Sequence, residues 1–223
     1  MINVRISEST KGANVFNPVI CLVRKFQILP PDQSALDDDV SNIQAVISQT
    51  PVLLTRDEKS TFWKKTAHIK LRENVYKNGL RRHNNLVDAA NIASLEYGTS
   101  IGLHDASSVV EDIIIEISSG KETIRPLYMD QFKQVAPYQL IYRTGNRLLA
   151  WVGELDVDSA DFQVRDSTNS AMIVVLGSRS NAESDNRQIC FRTLTLLRRS
   201  CPKAYGQIIP TIRETGPISP HII

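Results

Sequence analysis

The sequence predicts an α+β fold in which mixed β-sheets pack against helices within a single domain. Three observations predict it. Short apolar runs typical of buried strands recur along the chain. Segments of helical apolar period lie between them, and the two kinds of segment do not alternate regularly. A chain of 223 residues with 42% hydrophobic residues can bury one such core.

The first 79 residues are expected to belong to the same compact unit as the rest. Apolar runs predict strands over residues 2–6 and 19–23. A helix is predicted over residues 40–48, because acidic side chains favour a helix N-terminus and three precede it. A second helix is predicted over residues 56–71. Residues 70–82 are basic, and helix and loop both remain open for them.

The clearest helix is predicted from about residue 85 to 97. Asn84 or Asn85 can cap it, because an Asn side chain accepts a hydrogen bond from a free backbone N–H of the first turn. Gly98 lies where a left-handed C-terminal residue is favoured. One apolar stripe has helical spacing, and it comprises Leu86, Ala89, Ala90, Ala93 and Tyr97.

The second half of the chain is predicted to be rich in strands. Residues 112–118 contain three consecutive isoleucines, which predicts burial on both faces, and residues 171–176 form another buried strand. Residues 139–143 and 148–152 flank a Gly-containing turn and predict a hairpin. The remaining segments are a loop over 178–186, a helix over 188–199 and an extended tail over 206–223.

Charge is strongly segregated along the chain although the formal net charge is only +2. Residues 56–83 carry nine Lys or Arg against three acids, residues 84–186 carry seven against fifteen, and residues 187–223 carry six against one. The basic segments either form a phosphate-binding rim or neutralise the acidic middle of the chain. The candidate RNA-binding residues are Lys64, Lys65, Lys70, Arg72, Arg81 and Arg82.

Other features favour a cytoplasmic protein without a cofactor or metal. The N-terminus lacks the basic and apolar regions of a secretory signal, and no apolar run is long enough to span a bilayer. Cys21, Cys190 and Cys201 are unevenly spaced, which indicates reduced thiols rather than a zinc site or a disulfide framework.

The predicted helix also carries a polar signature. Its sequence N-L-V-D-A-A-N-I-A-S-L-E-Y-G resembles the N-x-V-D-x-x-N-x-x-x-L-E-x-G pattern of the B3/B4 domain of the phenylalanyl-tRNA synthetase β subunit, which also occurs as free-standing relatives. Further matches follow in the same order, so the resemblance covers residues 80–205 as a B3/B4-like core. It implies an editing-type domain that acts on aminoacyl-tRNA.

The resemblance also implies a substrate pocket. The residue matching Asn91 lines the editing pocket of the synthetase domain, and an amide can both donate to and accept from a substrate. Gly153 matches a small pocket residue, and Glu154 could orient water or an ammonium group. The full set of candidate substrate-binding residues is Asn91, Gly102, His104, Gly153, Glu154 and Arg165.

Two departures from the synthetase pattern affect the expected specificity. Gly102 stands where the synthetase has a pocket histidine, and His104 lies two residues later. Gly177 falls where the synthetase has a glutamate that reads the hydroxyl of tyrosine. Loss of a buried polar reader removes most discrimination for that group, so tyrosine-specific editing is not expected. Asp105 is interpreted as a turn residue rather than a catalytic acid.

Three function classes therefore remain open. The chain is a hydrolase of misacylated tRNA, a non-catalytic module that binds tRNA, an amino acid or a protein, or a different small-molecule enzyme on the same scaffold. It is not a complete aminoacyl-tRNA synthetase, because no adenylate-forming motif occurs in the chain.

Overall fold

The computed structural model describes residues 2–11, 13, 17–50, 66–152, 156–177 and 182–214. Within these ranges the helices are α1 (Asp37–Gln49), α2 (Ala67–Asn78), α3 (Asn85–Tyr97) and α4 (Glu183–Leu197). The first six strands are β1 (Val4–Ile6), β2 (Val19–Arg24), β3 (Gly102–Asp105), β4 (Ile113–Ile117), β5 (Thr123–Ile124) and β6 (Lys133–Gln134). The others are β7 (Leu140–Thr144), β8 (Arg147–Val152), β9 (Val157–Asp158), β10 (Ser170–Val175), β11 (Tyr205–Ile208) and β12 (Thr211–Arg213).

Two sheets form the centre of the molecule. The larger sheet has the order β12-β1-β4-β7-β8-β9, with β1 parallel to both β12 and β4 and the remaining pairs antiparallel. The smaller sheet has the order β11-β2-β10-β3 and is antiparallel throughout. The hairpin β5–β6 is separate. The fold is α+β, as the sequence predicts.

The two sheets face each other across one apolar core. Ile113 and Ile115 of β4 lie in it together with Met172 and Val174 of β10. Because β10 alternates its side chains between faces, Ala171, Ile173 and Val175 point to the opposite face and pack beneath α4. The order of layers is therefore large sheet, small sheet and helices.

The helices form their own apolar cluster outside the small sheet. Ile43 and Ile47 of α1, Val75 of α2, Ile92 of α3 and Leu196 of α4 meet there. All four helices contribute to this cluster, so α3 is held between α4, which covers the small sheet, and α1 and α2.

Several boundaries differ from those predicted. Helix α4 begins at Glu183 rather than at 188, because the Asp185 carboxylate accepts a hydrogen bond from the backbone N–H of Ala182 and caps the first turn. Ile114 is half-buried, so β4 alternates between its faces and is not buried on both. The tail predicted from residue 206 includes residues of β11 and all of β12, which extend the two sheets.

The predicted helix over residues 56–71 lies partly outside the described residues. Within them, α2 begins at Ala67 and continues to Asn78. All three cysteines are free and buried in the described structure. No helix in the described ranges is long and apolar enough to cross a membrane.

Candidate functional site

The polar signature of α3 is used mainly to hold the fold together. The Asn84 side chain accepts from the Val87 N–H and caps the helix. Asn85 is fully buried, and its amide bonds the backbone of Gln27 and Leu29 and the Ser200 hydroxyl. These contacts fix the start of α3 against the segments that follow β2 and α4.

The other signature residues also have structural partners. Asp88 is completely buried and accepts from Arg82 Nε at 2.7 Å and from the His83 N–H at 2.8 Å. Glu96 pairs with Arg192 of α4 at 2.7 Å. Gly98 adopts the left-handed conformation that ends the helix, with φ at +62°.

Asn91 differs from these residues. It is half-buried and has no hydrogen bond or ion pair from its side chain to any described residue. A rotation of 100° per residue places it nearly opposite the fully buried Ala93, between the half-buried Val87 and the buried Leu95. Asn91 is therefore available to a ligand in a way that Asn85 and Asp88 are not.

A second polar group lies where the two sheets meet at one edge. His104 of β3 is completely buried, and its Nε2 lies 2.7 Å from the hydroxyl of Tyr142 on β7. Gly102 makes this contact possible, because a Cβ at that position would lie 2.6 Å from the Tyr142 hydroxyl. The other ring nitrogen of His104, Nδ1, is buried without a partner among the described residues.

Two acidic residues complete this group. Asp158 of the edge strand β9 has Oδ1 3.8 Å from His104 Nε2, and 43% of its side chain is exposed. Asp156 accepts a hydrogen bond from the Ala67 N–H at the start of α2. The His68 N–H donates to the Ser100 hydroxyl, so the start of α2 lies beside the turn that leads into β3.

Burial strongly perturbs these titratable groups. It lowers the pKa of His104 to about 3, so the imidazole is neutral at physiological pH. Partial burial of the Asp158 carboxylate, together with the neighbouring Asp156 carboxylate, raises the pKa of Asp158 to about 7. Burial, with Asp158 and Asp156 nearby, raises the pKa of Tyr142 well above its ordinary value. The group can therefore hold or exchange a proton near neutral pH.

Arg165 lies in the loop that follows β9 and is joined to β3 through Thr168. The Thr168 hydroxyl accepts from the Arg165 N–H and donates to the Asp105 carboxylate. Asp105 also accepts from the Ser107 N–H, as expected of a turn residue. The exposed Arg165 side chain turns back to the Ala160 carbonyl, at 3.4 Å.

Contacts between described residues connect part of the predicted pocket, and the pocket as a whole stays a prediction. Gly102, His104 and the Arg165 loop are connected, whereas no hydrogen bond or ion pair between described residues joins Asn91 to them. Gly153 and Glu154 lie outside the described residues, so their predicted roles stay predictions.

The predicted RNA-binding residues fall into different environments. Lys70 and Arg81 are exposed, whereas Arg72 is half-buried and donates to the Thr50 carbonyl. The Arg82 guanidinium is used by the fold, because it donates to Asp88, Asp37, the Pro31 carbonyl and the Ser34 hydroxyl, and its RNA-binding role stays a prediction. With these bonds made, it has little capacity left for a phosphate. Lys64 and Lys65 lie outside the described residues.

Three members of the edge group were not identified from the sequence, namely Tyr142, Asp156 and Asp158. A local signal existed for the two acids. They are two positions apart in the sequence, and residues with this spacing lie on the same face of a strand. Tyr142 has no such signal, since only the pairing of distant strands brings it to His104. Among the described residues, no cluster of His, Cys, Asp or Glu has an arrangement that could hold a metal ion.

Comparisons with known proteins agree with this architecture. The chain is similar in fold to an N-terminal fragment of the phenylalanyl-tRNA synthetase β subunit from Pyrococcus horikoshii, with a TM-score of 0.56 at 12% sequence identity. That similarity covers 96% of this chain but 52% of the other, so the chain spans about half of that fragment. No curated protein matches it. A family model described as the B3/4 domain matches residues 61–199, which is more than half of the sequence, and the chain therefore belongs to the B3/4 domain family.

Proposed function

We propose that this chain acts on aminoacyl-tRNA in the cytoplasm and hydrolyses the ester bond of misacylated tRNA. The observation that carries the proposal is the state of Asn91. Every other polar residue of the signature bonds to the fold, whereas Asn91 has no described partner. In the synthetase domain that the signature resembles, the matching residue lines the editing pocket. An unbonded amide at that position is suited to hold the substrate.

The proposed activity is not specific for tyrosine. Position 177 has no room for the glutamate that reads the tyrosine hydroxyl in the synthetase. Gly177 has a φ of +80°, and a Cβ there would lie 2.5 Å from the amide nitrogen of Asn186. The Asn186 amide is itself bonded to the Asn17 carbonyl and cannot easily move away. We therefore expect an amino-acid pocket without a polar group at this position.

Binding of tRNA is expected to use the exposed basic residues. Lys70 and Arg81 remain candidates for phosphate contacts, because neither side chain has a described partner. The arginines of α4 contribute less, since Arg187 pairs with Glu183 and Arg192 with Glu96. Ion pairs within the protein thus neutralise part of the positive charge of the C-terminal basic segment.

The test is release of labelled amino acid from a panel of correctly and incorrectly charged tRNAs. We expect release from at least one misacylated species other than Tyr-tRNA for phenylalanine. Asn91→Ala should lower that rate roughly ten- to a hundredfold, because a lost polar contact costs about 1–3 kcal/mol of transition-state binding.

The matched control is Asn42→Ala, an exposed asparagine on α1, which should leave the rate unchanged. If no tRNA in the panel is hydrolysed above the buffer rate, the hydrolase proposal is wrong. Salt-dependent tRNA binding without hydrolysis would instead support the non-catalytic binding module.

A further inference from the structure

The edge between β3 and β9, where the two sheets meet, contains a group of polar side chains, two of which are buried. Both strands are edge strands of their sheets, and they come together on the same side of the molecule. His104 and Tyr142 lie inside this edge and are almost completely buried, whereas Asp158 is partly exposed. Of the three side chains, Asp158 alone can touch a bound substrate without a rearrangement of the core.

The buried histidine is costly as a packing residue. If Nε2 accepts the proton of the Tyr142 hydroxyl, Nδ1 carries a hydrogen without an acceptor among the described residues, and in the other tautomer Nδ1 is an acceptor that none of them donates to. A buried polar atom without a partner costs about 1–3 kcal/mol. An apolar side chain would avoid that cost, so a polar role accounts better for His104.

The groups that face Asp158 come from several elements. They are His104 from β3, Tyr142 from β7 and Asp156 in the segment before β9. Arg125 approaches through the bridge between Pro126 and Ser159, but it is paired with Asp161. The residues of β8 that pair with β9 are Ala150 and Trp151, which carry no charge.

We propose that Asp158 is the general base of the hydrolysis described above, with the buried pair of His104 and Tyr142 behind its carboxylate. This inference rests on the proposed function. A carboxylate that shares its surroundings with a second acid and a neutral imidazole binds a proton readily near neutral pH. Such a group is effective as a base, because catalysis is best when the pKa lies near the working pH.

The chemical step balances with water as the only co-reactant. Asp158 removes one proton from a water molecule while the water oxygen forms a bond to the ester carbonyl carbon. The tetrahedral intermediate then breaks the bond between that carbon and the ribose oxygen. The proton held by Asp158 passes to this oxygen, so the products are the free amino acid and tRNA with its terminal hydroxyl restored.

The first variant is Asp158→Asn, assayed on the misacylated tRNA that the wild-type protein hydrolyses. We expect kcat to fall about 100-fold or more, within the range that general acid–base groups contribute. Asp166→Asn is the control, because Asp166 is an exposed aspartate in the loop between β9 and β10 and should leave kcat unchanged.

The second measurement is the pH profile of kcat. In the wild-type protein the rate should rise with pH through about 7 as Asp158 loses its proton. Asp156→Asn should move this midpoint to lower pH, because it removes the negative charge that raises the pKa of Asp158. The asparagine oxygen can still accept from the Ala67 N–H, so the contact with α2 is kept.

The possible outcomes separate the two proposals. A wild-type protein that hydrolyses no tRNA contradicts the proposed function itself. An active wild-type protein whose rate and pH profile survive both Asp158→Asn and Asp156→Asn contradicts the assignment of Asp158 and leaves the proposed function intact. If Asp158→Asn fails to fold, the midpoint in Asp156→Asn decides the question, since an unshifted midpoint overturns the assignment.

Discussion

Two regions of this molecule bury polar side chains, and they do so in opposite ways. In the signature helix α3, buried Asn85 and Asp88 have their bonding capacity met by nearby backbone and by Arg82. At the edge between β3 and β9, one ring nitrogen of His104 has no partner in the described part of the chain, and the pKa of Asp158 is raised to about 7. The polar residues that define the family motif on α3 thus serve mainly the architecture, and the edge is better prepared for chemistry.

The largest expected effect tests the architectural half of this comparison. Arg82→Ala leaves the buried Asp88 carboxylate without its cation, and breaking a buried pair costs about 3–5 kcal/mol. Urea unfolding should show this loss in the free energy of unfolding. Arg81→Ala is the matched control, because the neighbouring exposed arginine should change stability by no more than about 0.5 kcal/mol.

The same pair of variants separates structure from RNA binding. Arg81→Ala should reduce the salt dependence of tRNA binding by about one phosphate contact, whereas Arg82→Ala should leave that slope unchanged in the folded protein. Equal stability of the two variants would show that Arg82 does not hold α3 in place.

A smaller effect is expected within α3 itself. Asn85→Ala removes a buried amide, leaves the Leu29 N–H without the amide oxygen that accepts from it and removes one of the donors to the Gln27 carbonyl, which should cost about 1–3 kcal/mol of stability. Asn91→Ala should cost no more than about 0.5 kcal/mol, because its side chain bonds no described residue. The two asparagines of one motif should therefore have different effects. Asn85→Ala should lower the thermal stability, whereas Asn91→Ala should lower the rate of tRNA hydrolysis.

A large stability loss in Asn91→Ala would contradict this division. It would place Asn91 among the architectural residues and remove the observation on which the proposed function rests. The division would also be contradicted if Asn85→Ala lowered the rate of hydrolysis and left the free energy of unfolding unchanged.

The sequence predicts α3 and the hairpin β7–β8 well because their signals are local. Asn84 caps α3 and Gly98 ends it as expected. Thr144 pairs with Arg147 across a two-residue turn that contains Gly145. Each of these features depends on residues a few positions apart, so propensity and spacing are sufficient.

The sites depend on contacts between distant residues, and the sequence does not show them. Tyr142 reaches His104 across 38 positions because β7 and β3 belong to facing sheets. Arg82 reaches Asp37 and Pro31 across 45 and 51 positions, whereas Arg81 points to solvent. Two adjacent arginines look identical in a charge count, and only the packing of α3 against the preceding segments separates them.

The last prediction concerns a single proton within the edge group. The pKa of His104 falls from its unfolded value of 6.5 to about 3, so its contribution to stability is lost as pH falls below 6.5. The pKa of Asp158 rises from 3.8 to about 7, so its contribution is lost as pH rises above 3.8. Between about pH 4.5 and 6, one proton resides on Asp158 in the folded protein and on His104 in the unfolded chain. The two residues therefore change the free energy of unfolding with pH in opposite directions.

Single variants should separate the contributions of His104 and Asp158 to the pH dependence of the free energy of unfolding. In this pH range the unfolded His104→Asn variant lacks the proton that His104 binds in the unfolded wild type. Its free energy of unfolding should therefore fall with rising pH more steeply than that of wild type, by up to about 1.4 kcal/mol per pH unit. Asp158→Asn should add a slope of the opposite sign. That slope is smaller, because solvent screens a side chain that is 43% exposed. Urea unfolding across the range measures both slopes, and parallel curves for the three proteins would show that the edge group does not exchange this proton on folding.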